Sequence, residues 1–130
     1  MFPPLEARLP KTVLTVDDSV TIRTMLQCAL SDAGYTVVQA FDGQDGLEQL
    51  AGGGVPDVII TDINMPRLDG FGFIEQVRAQ PRFRGTPILV LTTESDGPRK
   101  DRARAAGATG WIVKPFDPAR LVDAIRRVTA

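Results

Sequence analysis

The sequence predicts an α/β fold, a doubly wound five-stranded parallel sheet of (βα)5 type with helices on both faces. Three observations predict it. Short apolar runs of strand length alternate with segments of helical period along the whole 130-residue chain. The run Val58-Ile-Ile-Thr-Asp62 is β-branched without polar alternation, as in a strand buried on both faces. Glycines and prolines, among them Gly34, Gly52-Gly-Gly-Val-Pro56 and Gly107, fall between the runs and separate the elements.

In order, Val13–Val16 is the first strand, ending in Asp17 and Asp18. Residues 19–33 form a helix whose stripe carries Ile22, Met25, Leu26, Ala29 and Leu30. Tyr35–Ala40 is the second strand, and Asp42–Ala51 a helix bearing Leu47 and Leu50. Val58–Asp62 is the third strand; Asp69–Ala79 is a helix with Phe73, Ile74 and Val77 inward. Pro87–Leu91 is the fourth strand, running into Thr92, and Pro98–Ala106 a short polar helix stopped by Gly107. Trp111–Val113 is the fifth strand, and Pro118–Val128 a last helix with Leu121, Val122, Ile125 and Val128 on one face. The proline-rich residues 1–10 read as a flexible arm, and 11–130 as one domain.

Composition narrows the chemistry. Fifteen basic and sixteen acidic residues give a net charge of -1, so there is no electrostatic case for nucleic acid or an acidic membrane. No segment has the length of a membrane span or the layout of a signal peptide, which makes the cytoplasm the expected location. There is no histidine and a single cysteine, so zinc sites, His-based triads and internal disulfides are excluded. Cys28 reads as a small buried apolar residue beside Met25, Leu26, Ala29 and Leu30.

In a parallel sheet of this kind, ligands sit beyond the carboxyl ends of the strands. Those ends carry Asp17 and Asp18, then Asp62 and Asn64, then Thr92, then Lys114-Pro115. Two unit charges about 5 Å apart cost roughly 3 kcal/mol at an effective dielectric near 20. Three carboxylates therefore approach about 10 kcal/mol of repulsion, which protonation or a cation must relieve. Oxygen donors alone favour a hard ion, Mg2+ with Mn2+ as substitute. Such a set, with Lys114 and the Thr92 hydroxyl as donors, is suited to holding a transferred phosphoryl group. Each piece has a plain structural reading as well: a helix cap, a turn, a loop lysine. Their joint occurrence on one rim is what points to chemistry.

At these residues the sequence resembles the response-regulator receiver family, in its stand-alone chemotaxis branch of the CheY type. The likeness runs from about Lys11 to Val128 and rests on Val16-Asp-Asp-Ser19, Asp62-Ile-Asn-Met-Pro66, Leu68-Asp-Gly70, Leu91-Thr92, Ala106-Gly-Ala108 and Lys114-Pro-Phe116. It implies a flavodoxin-like sheet of order 2-1-3-4-5, an order carried over from the family. It implies Asp62 as phosphoacceptor, with Asp18, Asp62 and the Asn64 carbonyl on Mg2+ and Asp17 reaching it through water. Thr92 would be the switch hydroxyl, Lys114 the partner of a phosphoryl oxygen, and the bond before Pro115 cis, against the general preference for trans. Trp111 stands where the family has an aromatic that turns inward on activation; an edge aromatic covering the core is its other reading. Asn64 and Glu94 match positions that govern acyl-phosphate lifetime and imply a short-lived signal.

The expected function is a single-domain response regulator. It takes a phosphoryl group from a CheA-like histidine kinase onto Asp62, switches through Thr92 and Trp111, and binds an effector such as a flagellar motor switch component. The docking face would be the fourth helix, fifth strand and fifth helix. The basic residues Arg99, Lys100, Arg102 and Arg104 on that helix read either as a solvated face or as part of the contact. The chain is expected to be a monomer, not an enzyme beyond its own phosphorylation and dephosphorylation, and to act by protein contact because no further domain follows. A phosphate sink or relay outside chemotaxis is the alternative. An Asp-nucleophile phosphatase is disfavoured because Asn64 stands where a second acid is needed. A nucleotide or flavin carrier lacks a glycine-rich loop after the first strand.

Overall fold

The computed structural model describes residues 11–129, so the arm assigned to residues 1–10 lies outside the described residues. The strands are β1 (Thr12–Val16), β2 (Thr36–Ala40), β3 (Val58–Thr61), β4 (Ile88–Thr92) and β5 (Gly110–Val113). The helices are α1 (Val20–Asp32), α2 (Gly43–Gly52), α3 (Gly70–Arg78), α4 (Gly97–Ala106) and α5 (Pro118–Thr129). A 3-10 turn at Pro81–Phe83, which the sequence reading left out, seats Phe83 fully in the core. All strand pairs are parallel and the order is β2-β1-β3-β4-β5.

Alternation along the strands divides the core in two. Leu14, Val16, Ile59 and Val90 face Phe73, Ile74 and Val77 of α3 and Leu50 of α2. Val13, Val58, Ile60, Leu89 and Leu91 face Leu26 and Leu30 of α1 and Leu121 and Ile125 of α5. β3 and β4 are buried at every residue, which is why their sequences show no polar alternation.

Helix starts are fixed by side-chain caps. Ser19, Asp42, Asp69 and Asp96 each accept a backbone N–H three residues on, an arrangement worth about 1 kcal/mol per helix. At the other end of α4, Gly107 has φ 118, a left-handed conformation that glycine adopts at least cost.

One sequence expectation is corrected. Cys28 is exposed, and Met25 is 43% exposed. At about 100° per residue, Cys28 lies roughly 140° round α1 from the centre of the Ile22–Leu26–Ala29–Leu30 stripe, on the solvent side.

The topology creates one crevice. After β1 the chain crosses to β2 on one side, then returns to place β3 on the other, so the carboxyl tips of β1 and β3 are neighbours whose loops diverge. Val16 pairs with Thr61, which puts the next residues, Asp17 and Asp62, side by side.

Candidate functional site

The backbone carries Asp62 one step beyond its strand: its N–H donates to the Val16 carbonyl at 2.9 Å, while Asp17 N–H donates to Ala40 at 3.1 Å. Both carboxylates are thus anchored by the ladder that holds the sheet. One carboxylate oxygen from each of Asp17, Asp18 and Asp62 lies within 4.8 Å of the others. Asp17 and Asp62 are buried, at 2% and 8% exposure, and Asp18 is open to solvent. At that spacing each pair of charges costs about 3.5 kcal/mol at an effective dielectric near 20.

Lys114, on the loop leaving β5, answers part of that repulsion. Its ammonium donates to Asp17 Oδ2 and to Asp62 Oδ2, both at 2.8 Å. Burial is the largest influence on Lys114 and lowers its pKa, but the hydrogen bonds and charges of Asp17 and Asp62 together outweigh it, and the ammonium is held above its ordinary value. Burial also dominates at Asp17 and raises it, with the Lys114 bond and the Ser19 amide pulling the other way. A raised lysine and a raised aspartate do not both follow from their mutual attraction. Two carboxylates face the one ammonium and hold it charged, while Asp17 is buried and also meets the like charge of Asp62. The Lys114–Pro115 peptide bond is cis, as the family resemblance implies.

The remaining donors are spent locally. Asp17 Oδ1 accepts from Ser19 N–H at 2.9 Å, and Asp62 Oδ1 from Ile63 N–H at 2.6 Å. Thr92 is fully buried at the end of β4, and its hydroxyl accepts from Glu94 N–H at 3.4 Å. Asn64 is exposed, and its amide donates to Glu94 Oε1 at 3.1 Å. The Trp111 indole N–H donates to the Glu94 carbonyl at 3.0 Å while the ring packs against the core. So Asp17, Asp18, Asp62 and Lys114 form one cluster, and Asn64, Thr92 and Trp111 converge on Glu94.

A single amide spacing explains how Asp62 stays so close to the following helix. Gly70 N–H donates to the Ile63 carbonyl at 2.8 Å, and a Cβ on Gly70 would collide with the Asp62 carbonyl. Only glycine permits that approach. Sequence reasoning missed Arg67, which has φ 65 and pairs with the buried Asp42. No local signal links two residues that far apart in the chain.

The three-carboxylate cluster is compatible with Mg2+, an ion that prefers oxygen donors and charge. The glycine run Gly52–Gly54 lines a cavity of about 300 Å3 with Thr12 and Leu14, at the amino ends of the strands and far from the acids. The four basic residues of α4 are mostly engaged: Arg99 with Glu94 and Asp96, Arg102 over the Phe71 ring at 4.1 Å, Arg104 with Asp101 at 3.8 Å.

The model of the response regulator receiver domain matches residues 13–126. The chain belongs to that family. A receiver domain of this family works in two-component signalling. Chemotaxis protein CheY1 of Helicobacter pylori (strain J99) is 38% identical over 117 residues, covering 89% of this chain and 94% of the relative. Chemotaxis protein CheY4 of Vibrio cholerae is 47% identical with a TM-score of 0.87, covering 92% of this chain and 98% of that one. The sensor histidine kinase CheAY of Helicobacter pylori (strain ATCC 700392 / 26695) is 34% identical over 116 residues, 88% of this chain but 14% of the kinase. The chain likewise spans about half the length of the transcriptional regulators that it matches. Among the described residues, no helix is long and apolar enough to cross a membrane.

Proposed function

We propose that this receiver domain is a switch whose Asp62 accepts a phosphoryl group from a phosphohistidine of a histidine kinase. The observation that carries the reading is the convergence of Asp17, Asp18 and Asp62 on one point, with Lys114 bonded to two of them. Asp17, Asp18, Asp62 and the Asn64 carbonyl would hold Mg2+ or Mn2+. Bound there, the ion supplies charge neutralisation for oxygens that gain negative charge during transfer. An Asp62 carboxylate oxygen attacks phosphorus, the P–N bond breaks with its electron pair going to the imidazole, and an acyl phosphate forms. Lys114 then pairs with a phosphoryl oxygen. The Thr92 hydroxyl leaves the Glu94 amide and donates to another.

That exchange frees Glu94 N–H, and Glu94 also carries the carbonyl that holds Trp111 and the carboxylate that holds Asn64 and Arg99. Movement of this loop is a route from the phosphoryl group to α4 and β5. A small cleft of about 80 Å3 between Lys100, Ala103, Ala108 and Trp111 lies on that face, a place for an effector protein to read the change. Likeness to CheY1 and CheY4 supports chemotaxis as the pathway, a CheA-like kinase as donor and a motor switch component as effector, in the cytoplasm.

The test is intact-protein mass after incubation with acetyl phosphate and Mg2+. Wild type should gain one phosphoryl group and Asp62→Ala none. An equal gain in Asp62→Ala overturns the assignment.

A further inference from the structure

We infer that Arg99 is a positioning residue that sets how long the phosphoryl group on Asp62 survives, acting through Glu94 and Asn64. The inference rests on the proposed phosphorylation of Asp62. Four contacts hold Glu94 before phosphorylation: Asn64 Nδ2 donates to Oε1 at 3.1 Å, Arg99 Nη1 to Oε2 at 2.7 Å, Trp111 Nε1 to the carbonyl at 3.0 Å, and its own N–H donates to Thr92, the one contact that the proposed switch gives up directly. Only the Arg99 contact opposes the charge of the carboxylate. Arg99 is itself anchored, since its Nη1 also donates to Asp96 Oδ2 at 2.8 Å and its N–H to Asp96 Oδ1 at 2.9 Å. Asp96 caps α4. The chain of contacts therefore runs from the start of α4 to an amide two residues beyond Asp62.

Loss of the phosphoryl group is attack of water oxygen on phosphorus. The P–O bond to Asp62 breaks, its electron pair returns to the carboxylate, and the water proton leaves with inorganic phosphate or solvent. That water needs a fixed polar neighbour to be held in line. Asn64 and Glu94, joined to each other and tied down by Arg99, form one fixed unit at the rim. With Arg99 removed, the Glu94 carboxylate keeps only the neutral Asn64 donor, and the pair loses its fixed orientation. Hydrolysis should slow.

The experiment follows the decay of phosphorylated protein after the donor is removed, in wild type, Arg99→Ala, Glu94→Ala and the double variant. Arg99 is half exposed, so an effect of about two- to fivefold on lifetime is expected for Arg99→Ala. Arg99→Lys should fall between, because it keeps the positive charge on a shorter side chain, while Arg99 reaches Glu94 and Asp96 through its terminal Nη1. In the Glu94→Ala background, adding Arg99→Ala should change nothing. Equal lengthening in that background would mean that Arg99 acts through the start of α4, and overturns the inference. So would an unchanged lifetime in Arg99→Ala when wild type is phosphorylated normally. Wild type that gains no phosphoryl group removes the underlying reading and the inference together.

Discussion

Arg67 grips the buried carboxylate of Asp42 with two hydrogen bonds, Nε to Oδ2 at 2.6 Å and Nη2 to Oδ1 at 3.0 Å. Asp42 begins α2, and Arg67 lies in the loop that follows Asp62, so one ion pair ties the β2–α2 loop to the candidate site's own loop. A second tie, Gly43 N–H to the Leu68 carbonyl at 3.2 Å, lies beside it. Arg67 lowers the Asp42 pKa most, burial opposes it, and the Asp45 amide adds to the lowering. A carboxyl with a folded pKa below its unfolded value, about 3.9, stabilises the fold fully above that pH and loses the contribution as pH falls through the folded value. Asp42→Asn keeps the cap and loses the charge. Its stability deficit against wild type, read from urea midpoints, should be constant near neutrality and shrink below about pH 4. Asp42→Ala should lose about 1 kcal/mol more, from the cap. A deficit independent of pH down to acid unfolding would contradict the pairing.

Lys114→Met removes the cation shared by Asp17 and Asp62. Without divalent ion the variant should be less stable by about 3 kcal/mol, the scale of breaking a buried pair by taking one partner. Mg2+ should then raise its melting temperature more than that of wild type, because the ion takes over neutralisation of three carboxylates. Melting curves with and without Mg2+ decide this. Equal responses in the two proteins would show that Lys114 and the ion do not share these carboxylates.

Gly70→Ala places a methyl group against the Asp62 carbonyl. Overpacking of this kind costs about 1 to 3 kcal/mol, and the displaced group is the backbone of the proposed phosphoacceptor. Both thermal stability and the rate of phosphoryl gain should drop. Gly34→Ala, where nothing lies within 4 Å of the new methyl but φ is 94, should lower stability alone. A Gly70→Ala protein phosphorylated at the wild-type rate would contradict the close packing.

Trp111→Phe deletes the indole N–H that holds the Glu94 carbonyl. The cost should be about 1 kcal/mol, and hydrogen exchange should quicken at the amides of Glu94 to Asp96. Unchanged exchange there would mean that the indole does not restrain the loop.

The alternation of strands and helices was readable because burial on both faces writes β-branched runs such as Val58–Ile60, and because caps such as Asp69 and Asp96 are local. The acidic rim was readable for a similar reason, since a parallel sheet assigns strand ends to one edge. What escaped was set by distance or by angle. Arg67 meets Asp42 only through tertiary folding, across 25 residues of chain. Cys28 was misjudged by taking neighbours in sequence as neighbours on the helix, when its angular position already put it outside. The 3-10 turn at Pro81–Phe83 is too short for periodicity to reveal.

The most direct measurement is chemical mapping of the phosphorylated residue. Borohydride reduces an acyl phosphate on aspartate to homoserine, which peptide mass spectrometry locates. After treatment with acetyl phosphate and Mg2+, homoserine is expected at position 62 and absent when Mg2+ is chelated. Homoserine at Asp17 or Asp18, or phosphate on Thr92 with Asp62 unmodified, would contradict the account.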